Sequence, residues 1–300
     1  MPEFGLGRRI PPDMEHVRKY ALRSIQKDTT KQVKVVLPLP SWSRNHNQGS
    51  EGACVGFGSS MMMAILNLMQ AKASIGVGIM PDVPPPGAKP ELPHWLSHVA
   101  EAVGSGNVLD DCIRYDPWWL WDRAKESDPW TDTNPGDQNG TTVRSAVEVL
   151  MKQGHCLWEP ADTTYNTIHE DQDVDLGIQA VRWATTVDEM RTAIASRTPI
   201  AIGVDWYSNF GQPTPRKGAG GKKEWWIGRG TRWGRKIGGH CLCVMAADDD
   251  RDAFGLKNSW GPDYPDHSAP ADLEVDVWIP YNTMQKLLDA YGEACLVVDK

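Results

Sequence analysis

The chain has 300 residues, of which 40% are hydrophobic and 23% are charged, as in an ordinary soluble globular protein. This length permits one large domain or two lobes that share a cleft. The formal net charge of −8 argues against a general binder of nucleic acid or of anionic membranes. Residues 1–10 lack the apolar core of a signal peptide, and the sequence has no run of about 18 apolar residues, so we expect a cytoplasmic protein.

The first half of the chain is predicted to be mainly helical. Residues 1–40 form a charged N-terminal arm that ends in the strand by which the chain enters the fold. Over 54–70, apolar side chains recur at spacings of three and four, which predicts a helix with Cys54 at its N-terminus. Two shorter helices are predicted further on: 118–125 and 143–151. Two stretches rich in proline, or in aspartate and glycine, are predicted loops: 75–95 and 128–140.

The second half is predicted to be mainly sheet. Thr186 and Glu189 have the spacing of a capping box, which predicts a helix at about 187–197. Four later stretches have strand patterns: 200–204, 240–247, 253–258 and 273–279. The sequence therefore predicts an α+β fold in three parts: the arm with its strand, 1–40; a mainly helical lobe, 41–180; and a mainly β lobe, 181–300.

Cys54 stands where a thiol nucleophile would be activated. A helix N-terminus supplies partial positive charge that lowers the pKa of a thiol. The backbone N–H of Cys54 can donate to the oxyanion of a tetrahedral intermediate, and Gln48, a side-chain amide just upstream, can be the second donor. Such a site also needs a nearby base.

Three segments resemble motifs of the papain-like cysteine peptidases. Residues 47–57 resemble the family's nucleophile segment, and 238–244 resemble its histidine strand. Residues 257–261, Lys-Asn-Ser-Trp-Gly, reproduce its asparagine motif without a change. Two further segments resemble this family, the second of them its bacterial and phage-type members: 139–146 and 278–281. The motifs follow the family's order, with looser spacing that the predicted loops can accommodate.

The resemblance implies a papain-like α+β fold with the active site in a cleft between a helical lobe and an antiparallel β lobe. It also implies a cysteine peptidase that acts on a protein or peptide through a covalent acyl-enzyme, with no cofactor. Cys54 would be the nucleophile, His240 its proton partner and Asn258 the residue that orients the imidazole. Gln48 would donate to the oxyanion, and Trp260 would shield the hydrogen bond between His240 and Asn258.

Two residues beside the nucleophile depart from the family pattern. Glu51 replaces a cysteine, which removes a disulfide and places a carboxylate that can raise the thiol pKa. Val55 replaces a tryptophan and alters the wall of the cleft. Residues 1–40 are too short for the family's usual inhibitory pro-region, so control by the arm, by a partner or by neither stays open.

The sequence leaves two other functions open. A papain-like module without activity could bind a protein or nucleic acid, and transfer of the acyl group to an amine would make the protein a transpeptidase or isopeptidase. Residues 216–236 carry eight basic side chains and three tryptophans, a mixture that can bind single-stranded nucleic acid. We interpret this segment as a solvated loop near the cleft with weak anion binding at most.

Metal binding is an alternative for several histidines and cysteines. One set could be interpreted as zinc ligands: His155, Cys156, His240, Cys241 and Cys243. Strand alternation places Cys241 and Cys243 on the face opposite His240, so we predict no metal site. The acidic run 248–252 lacks the spacing of a calcium-binding loop, and we predict a hairpin turn there.

Overall fold

The computed structural model of the chain describes residues 6–11, 32–76, 114–130, 140–156, 177–266 and 274–299. Five α-helices lie in these ranges: α1 Cys54–Gly76, α2 Pro117–Ser127, α3 Val143–Lys152, α4 Val187–Ala195 and α5 Tyr281–Asp289. Nine strands lie there too: β1 Lys34–Val36, β2 Ile178–Ala184, β3 Ile200–Tyr207, β4 Thr214–Lys217, β5 Lys223–Trp226, β6 Lys236–Asp248, β7 Ala253–Lys257, β8 Val277–Pro280 and β9 Glu293–Asp299.

Helix α1 is the central helix of the core, and glycines let it approach its neighbours closely. A Cβ at Gly56 would lie 2.1 Å from the carbonyl oxygen of Pro117, and a Cβ at Gly58 would lie 2.8 Å from Cys241 Sγ. The stretch Cys54–Ala71 is long and apolar enough to cross a membrane by length and composition, but 83% of it is buried inside the protein. A core helix passes the same test.

The shorter helices begin at side-chain caps that the sequence supplies. Asp116 accepts hydrogen bonds from two backbone N–H groups at the start of α2, and Thr142 accepts one at the start of α3. The capping box predicted at Thr186 and Glu189 is present at α4. Each cap satisfies backbone donors that would otherwise have no partner within the helix.

The strands form one sheet in the order β2-β9-β3-β6-β7-β8-β5-β4, with β1 paired to β6. Neighbouring strands are antiparallel, except that β5 runs parallel to β8. The long strand β6 carries His240, which pairs with Val204 of β3. Strand β7 pairs with the other edge of β6 and ends at Lys257, just before Asn258. The α+β prediction is confirmed.

The described segments also show where sequence reasoning was incomplete. Helix α1 continues to Gly76, past the predicted end at 70 and into the stretch 75–95, whose remainder lies outside the described residues. Most of the predicted loop 128–140 lies outside them as well. Strand β8 is shorter than the predicted 273–279, and Asp276, just before it, is buried and binds Lys257 and the backbone of Asn258. The division into lobes stays a prediction.

The interpretation of residues 216–236 as a solvated loop was wrong for its first part. Strands β4 and β5 form a hairpin there, and β5 joins the sheet through Trp226, which pairs with Trp278. Trp225 and Trp226 are buried, so their rings are not exposed for stacking. The basic side chains of the segment are exposed. Weak anion binding by them stays a prediction.

Candidate functional site

Cys54 is the first residue of α1 and is completely buried. Burial raises the pKa of its thiol to about 11, although backbone amides of Gly7, Cys241 and Arg8 lower it in part. The contact with Cys241 places the Cys54 thiol beside β6, at the residue that follows His240. In this arrangement the thiol is protonated at neutral pH.

His240 and Asn258 form a hydrogen bond that fixes the histidine tautomer. His240 Nε2 lies 2.8 Å from Asn258 Oδ1, and the backbone N–H of Ser259 donates to the same Oδ1 at 2.8 Å. An amide atom that accepts the Ser259 N–H must be the oxygen, so His240 Nε2 is the donor in the pair. Nδ1 therefore keeps the lone pair of the neutral ring and is the nitrogen that can accept a proton.

The imidazole of His240 lies in a dry aromatic environment. The ring of Trp260 stacks on it at 4.7 Å between centroids, and the edge of Trp206 meets it at 4.8 Å. Burial lowers the pKa of His240 to about 4, while the bond to Asn258 raises it in part. His240 Nδ1 has no hydrogen-bond partner within the part of the chain that the structure describes. The ring is thus a neutral base.

Gln48 is buried and is connected to the asparagine segment through Ser259. Its Oε1 accepts from Ser259 Oγ at 2.5 Å, and its Nε2 donates to the carbonyl oxygen of Glu51 at 2.7 Å. Ser259 therefore links Gln48 to Asn258, because its backbone N–H binds Asn258 and its hydroxyl binds Gln48. This role of Ser259 was missed in the sequence, although the residue lies inside the Lys-Asn-Ser-Trp-Gly motif.

Asp276 is a second contributor that sequence reasoning missed. Its Oδ2 accepts from the backbone N–H of Asn258 at 2.8 Å, and its Oδ1 binds Lys257 Nζ at 2.8 Å. Both charged side chains of this ion pair are nearly inaccessible to solvent. Asp276 thus fixes the position of the Asn258 backbone, and Lys257 neutralises its charge. The sequence shows only an acidic residue within the predicted strand 273–279, which gave no reason to expect a buried ion pair.

Residues 6–11 of the N-terminal arm pass directly over the nucleophile. The N–H of Arg8 donates to the carbonyl of Gly239 at 3.1 Å, and the carbonyl of Gly7 accepts from Thr141 N–H at 2.8 Å. The chain is close enough that a Cβ at Gly7 would lie 1.6 Å from the carbonyl oxygen of Gly52. The arm therefore bridges the segment before α3 and the strand of His240, and it covers Cys54.

The other histidine and cysteine candidates are structural in this arrangement. His155 Nε2 lies 2.8 Å from Ser60 Oγ, and its Nδ1 accepts from the backbone N–H of Cys156 at 2.9 Å. Cys241 packs against Gly58 of α1. Among the described residues, no group of three or more His, Cys, Asp or Glu side chains is placed to hold a metal ion.

This arrangement of helices and sheet is the papain-like fold. No protein-family model matches the chain, and no curated protein matches its sequence. Xylellain, a cysteine protease from Xylella fastidiosa, is 14% identical and aligns with a TM-score of 0.62 over 99% of this chain and 97% of that chain.

Two eukaryotic structures are also similar. Digestive procathepsin L2 from the larval midgut of Tenebrio molitor is 15% identical, with a TM-score of 0.54 over 99% of this chain and 78% of that chain. Procathepsin B of Trypanosoma congolense is 8% identical, with a TM-score of 0.53 over 98% of this chain and 87% of that chain. At these identities the comparisons show the fold, which confirms the papain-like architecture predicted from the motifs.

Proposed function

We propose that the protein is a cysteine peptidase in which Cys54 is the nucleophile and His240 is its general base and acid. The observation that carries this proposal is the shared oxygen of Asn258, which accepts both the Ser259 N–H and His240 Nε2. It leaves His240 Nδ1 as the proton acceptor. The thiol that would give up the proton is at the N-terminus of α1 and contacts the backbone of Cys241, the residue after His240.

The reaction then follows from these roles. Nδ1 takes the thiol proton, and the thiolate attacks the peptide carbonyl carbon, so that the carbonyl π electrons move to the oxygen. The Cys54 N–H and the Gln48 amide donate to this oxyanion. The protonated imidazole gives its proton to the leaving amine as the C–N bond breaks. Nδ1 next takes a proton from water, and the water oxygen attacks the thioester carbon. The C–S bond then breaks to release the acid, and the protonated imidazole returns its proton to the Cys54 sulfur.

The two reacting groups are both neutral while the arm covers them. Burial holds the thiol pKa at about 11 and the imidazole pKa at about 4, which disfavours a thiolate–imidazolium pair. Displacement of the arm readmits water, which lowers the first pKa and raises the second. The proposed active form therefore has residues 6–11 out of the cleft.

One observation favours a second candidate, a papain-like module that binds without catalysis. Cys54 and His240 are both fully buried under the arm, and a cleft that never opens would not need a reactive thiol. This candidate predicts a protein that cleaves no peptide in any state of the arm. Transpeptidase or isopeptidase activity would follow from the same acyl-enzyme and stays a prediction.

Peptide cleavage by matched variants tests the proposal. Gly7→Ala in the full chain places a Cβ against the Gly52 carbonyl and displaces the arm, so this variant should cleave a mixed peptide library. Adding Cys54→Ala should reduce cleavage by roughly 10⁴-fold or more, as expected for loss of a nucleophile. Cys243→Ala, a change at another buried cysteine, should leave cleavage in place. No cleavage by Gly7→Ala, or equal cleavage after Cys54→Ala, contradicts the proposal.

A further inference from the structure

The side chain of Arg8 fills an acidic pocket beside the nucleophile. Its Nε and Nη2 lie 3.2 and 3.1 Å from Glu293 Oε2, and its Nη1 lies 4.0 Å from Asp205 Oδ1. Nη2 also donates to the carbonyl of Tyr291. The Arg8 and Glu293 side chains have no solvent exposure. The guanidinium is thus held by charge and by several acceptors at once.

The shape of the pocket suits a long side chain. Gly203 of β3 forms one wall, where a Cβ would lie 3.0 Å from Arg8 Nε and 2.7 Å from Val143 Cγ2. Glu293 opens β9 and is paired with Gly203 in the sheet, so its carboxylate closes the pocket from the adjacent strand. The absence of a side chain at Gly203 makes the room that the guanidinium occupies.

The backbone of the arm follows the path that an extended peptide substrate would need. Arg8 N–H binds Gly239, the residue before His240, while Gly7 and Arg9 bind Thr141. The Gly7 and Arg8 amides also lie at the Cys54 thiol. A substrate must bring its scissile carbonyl to that thiol, and an extended chain advances only about 3.3 Å per residue. A side chain within two residues of the cleaved bond is therefore within reach of the Arg8 pocket.

We propose that this pocket, closed by Glu293 and Asp205, selects an arginine or lysine side chain within two residues of the cleaved bond. Arg8 is then an internal mimic of the substrate. This inference rests on the proposed peptidase function. Lys236 Nζ lies 2.8 Å from Asp205 Oδ1 at the solvent side and offsets that charge, which leaves Glu293 as the main specificity-determining residue.

The physical reason for the selection is the burial of Glu293. A buried carboxylate is strongly destabilised when its cation is removed, so an apolar side chain in the pocket leaves a costly charge. A guanidinium can reach Glu293 and the Tyr291 carbonyl together because its donors form a planar fork. Arginine should therefore bind better than lysine, and both should bind much better than leucine or methionine.

Cleavage kinetics with Arg8→Ala in the full chain test this specificity. The test peptides differ only in the side chain that is proposed to enter the pocket. Peptides with arginine there should show a kcat/KM about tenfold or more above that of peptides with leucine. Adding Glu293→Gln should bring the kcat/KM values for the arginine and leucine peptides within about threefold of each other. Adding Glu148→Gln, the same change at a half-buried residue of α3, should keep the preference. Equal cleavage of the two peptides by Arg8→Ala, or an unchanged preference with Glu293→Gln, would overturn the inference.

A second measurement depends neither on turnover nor on the folding of Glu293→Gln. A small neutral thiol reagent should modify Cys54 slowest in the unchanged chain, faster in Arg8→Lys and at least about tenfold faster in Arg8→Met. Equal protection by methionine would contradict a cation-selective pocket. Protection in the expected order, with no cleavage by any variant, would support the pocket and contradict the proposed function.

Discussion

Asn258 Oδ1 accepts two N–H groups, and this one atom determines which nitrogen of His240 is basic. The residues that hold it are few and specific. Ser259 supplies one donor, and Asp276 fixes the backbone of Asn258 from the other side. The resemblance of 238–244 and 257–261 to family motifs predicted that His240 and Asn258 would interact, and their side chains are hydrogen-bonded. It could not predict Asp276, whose contact depends on the fold.

Three buried histidines make the folded state sensitive to acid. Burial lowers the pKa of His46 and His155 to about 3 and that of His240 to about 4, from an ordinary value of 6.5. Below pH 6.5 the unfolded chain binds protons that the folded chain does not, so stability falls as pH falls toward these values. At pH 5 each histidine costs about 2 kcal/mol, against a total stability of about 5–15 kcal/mol.

We therefore expect the free energy of unfolding to drop by about 6 kcal/mol between pH 7.5 and pH 5. Urea unfolding at both pH values measures the drop. His155→Gln should reduce it by about one third, because glutamine does not titrate. A stability that is unchanged over this range would contradict the buried, neutral state of these rings.

At the scale of elements, the packing of α1 against β6 positions Cys54 relative to His240. Gly58 makes this contact possible, since a Cβ there would lie 2.8 Å from Cys241 Sγ and 3.3 Å from the Cys241 carbonyl carbon. Alanine alone would favour a helix over glycine by about 1 kcal/mol. Overpacking costs about 1–3 kcal/mol, so the steric cost should win.

Gly58→Ala should therefore lower the free energy of unfolding by up to about 2 kcal/mol and reduce cleavage in the Gly7→Ala chain. The control is Gly211→Ala, because a Cβ at Gly211 would meet no heavy atom within 4 Å. That variant should keep both stability and cleavage. Denaturant unfolding measures the change in stability, and kcat/KM measures the change in cleavage. A Gly58→Ala variant that is more stable than the unchanged chain would contradict close packing of α1 against β6 at Gly58.

The helices and the strand pair β6–β7 could be predicted because their signals are local. The periodic apolar face of α1 and the capping box of α4 each lie within a few residues of chain. The hairpin β4–β5 could not be predicted in the same way. Both Trp225 and Trp226 are buried, so the segment has no alternation, and its place in the sheet depends on a parallel pairing with distant β8.

At the scale of the whole molecule, residues 6–11 of the arm cover the cleft that the rest of the fold forms. The ion pair between Arg8 and Glu293 joins residues 285 positions apart, and no motif in the sequence links them. The order of Gln48, Cys54, His240 and Asn258 in the sequence was sufficient to propose a candidate site, and the catalytic roles of these residues stay a prediction. The position of residues 6–11 depends on contacts with Gly52, Gly239 and Glu293, which are distant in the sequence. Short-range sequence patterns do not predict such contacts.

The most direct test of the central claim, that Cys54 is the reactive nucleophile, is labelling with a peptidyl epoxide followed by peptide mapping of all six cysteines. In the full-length Gly7→Ala chain we predict a single label on Cys54. The unchanged chain should react more slowly at neutral pH, because burial under the arm raises the Cys54 pKa to about 11. A label on another cysteine, or none on a folded Gly7→Ala chain, would contradict the account.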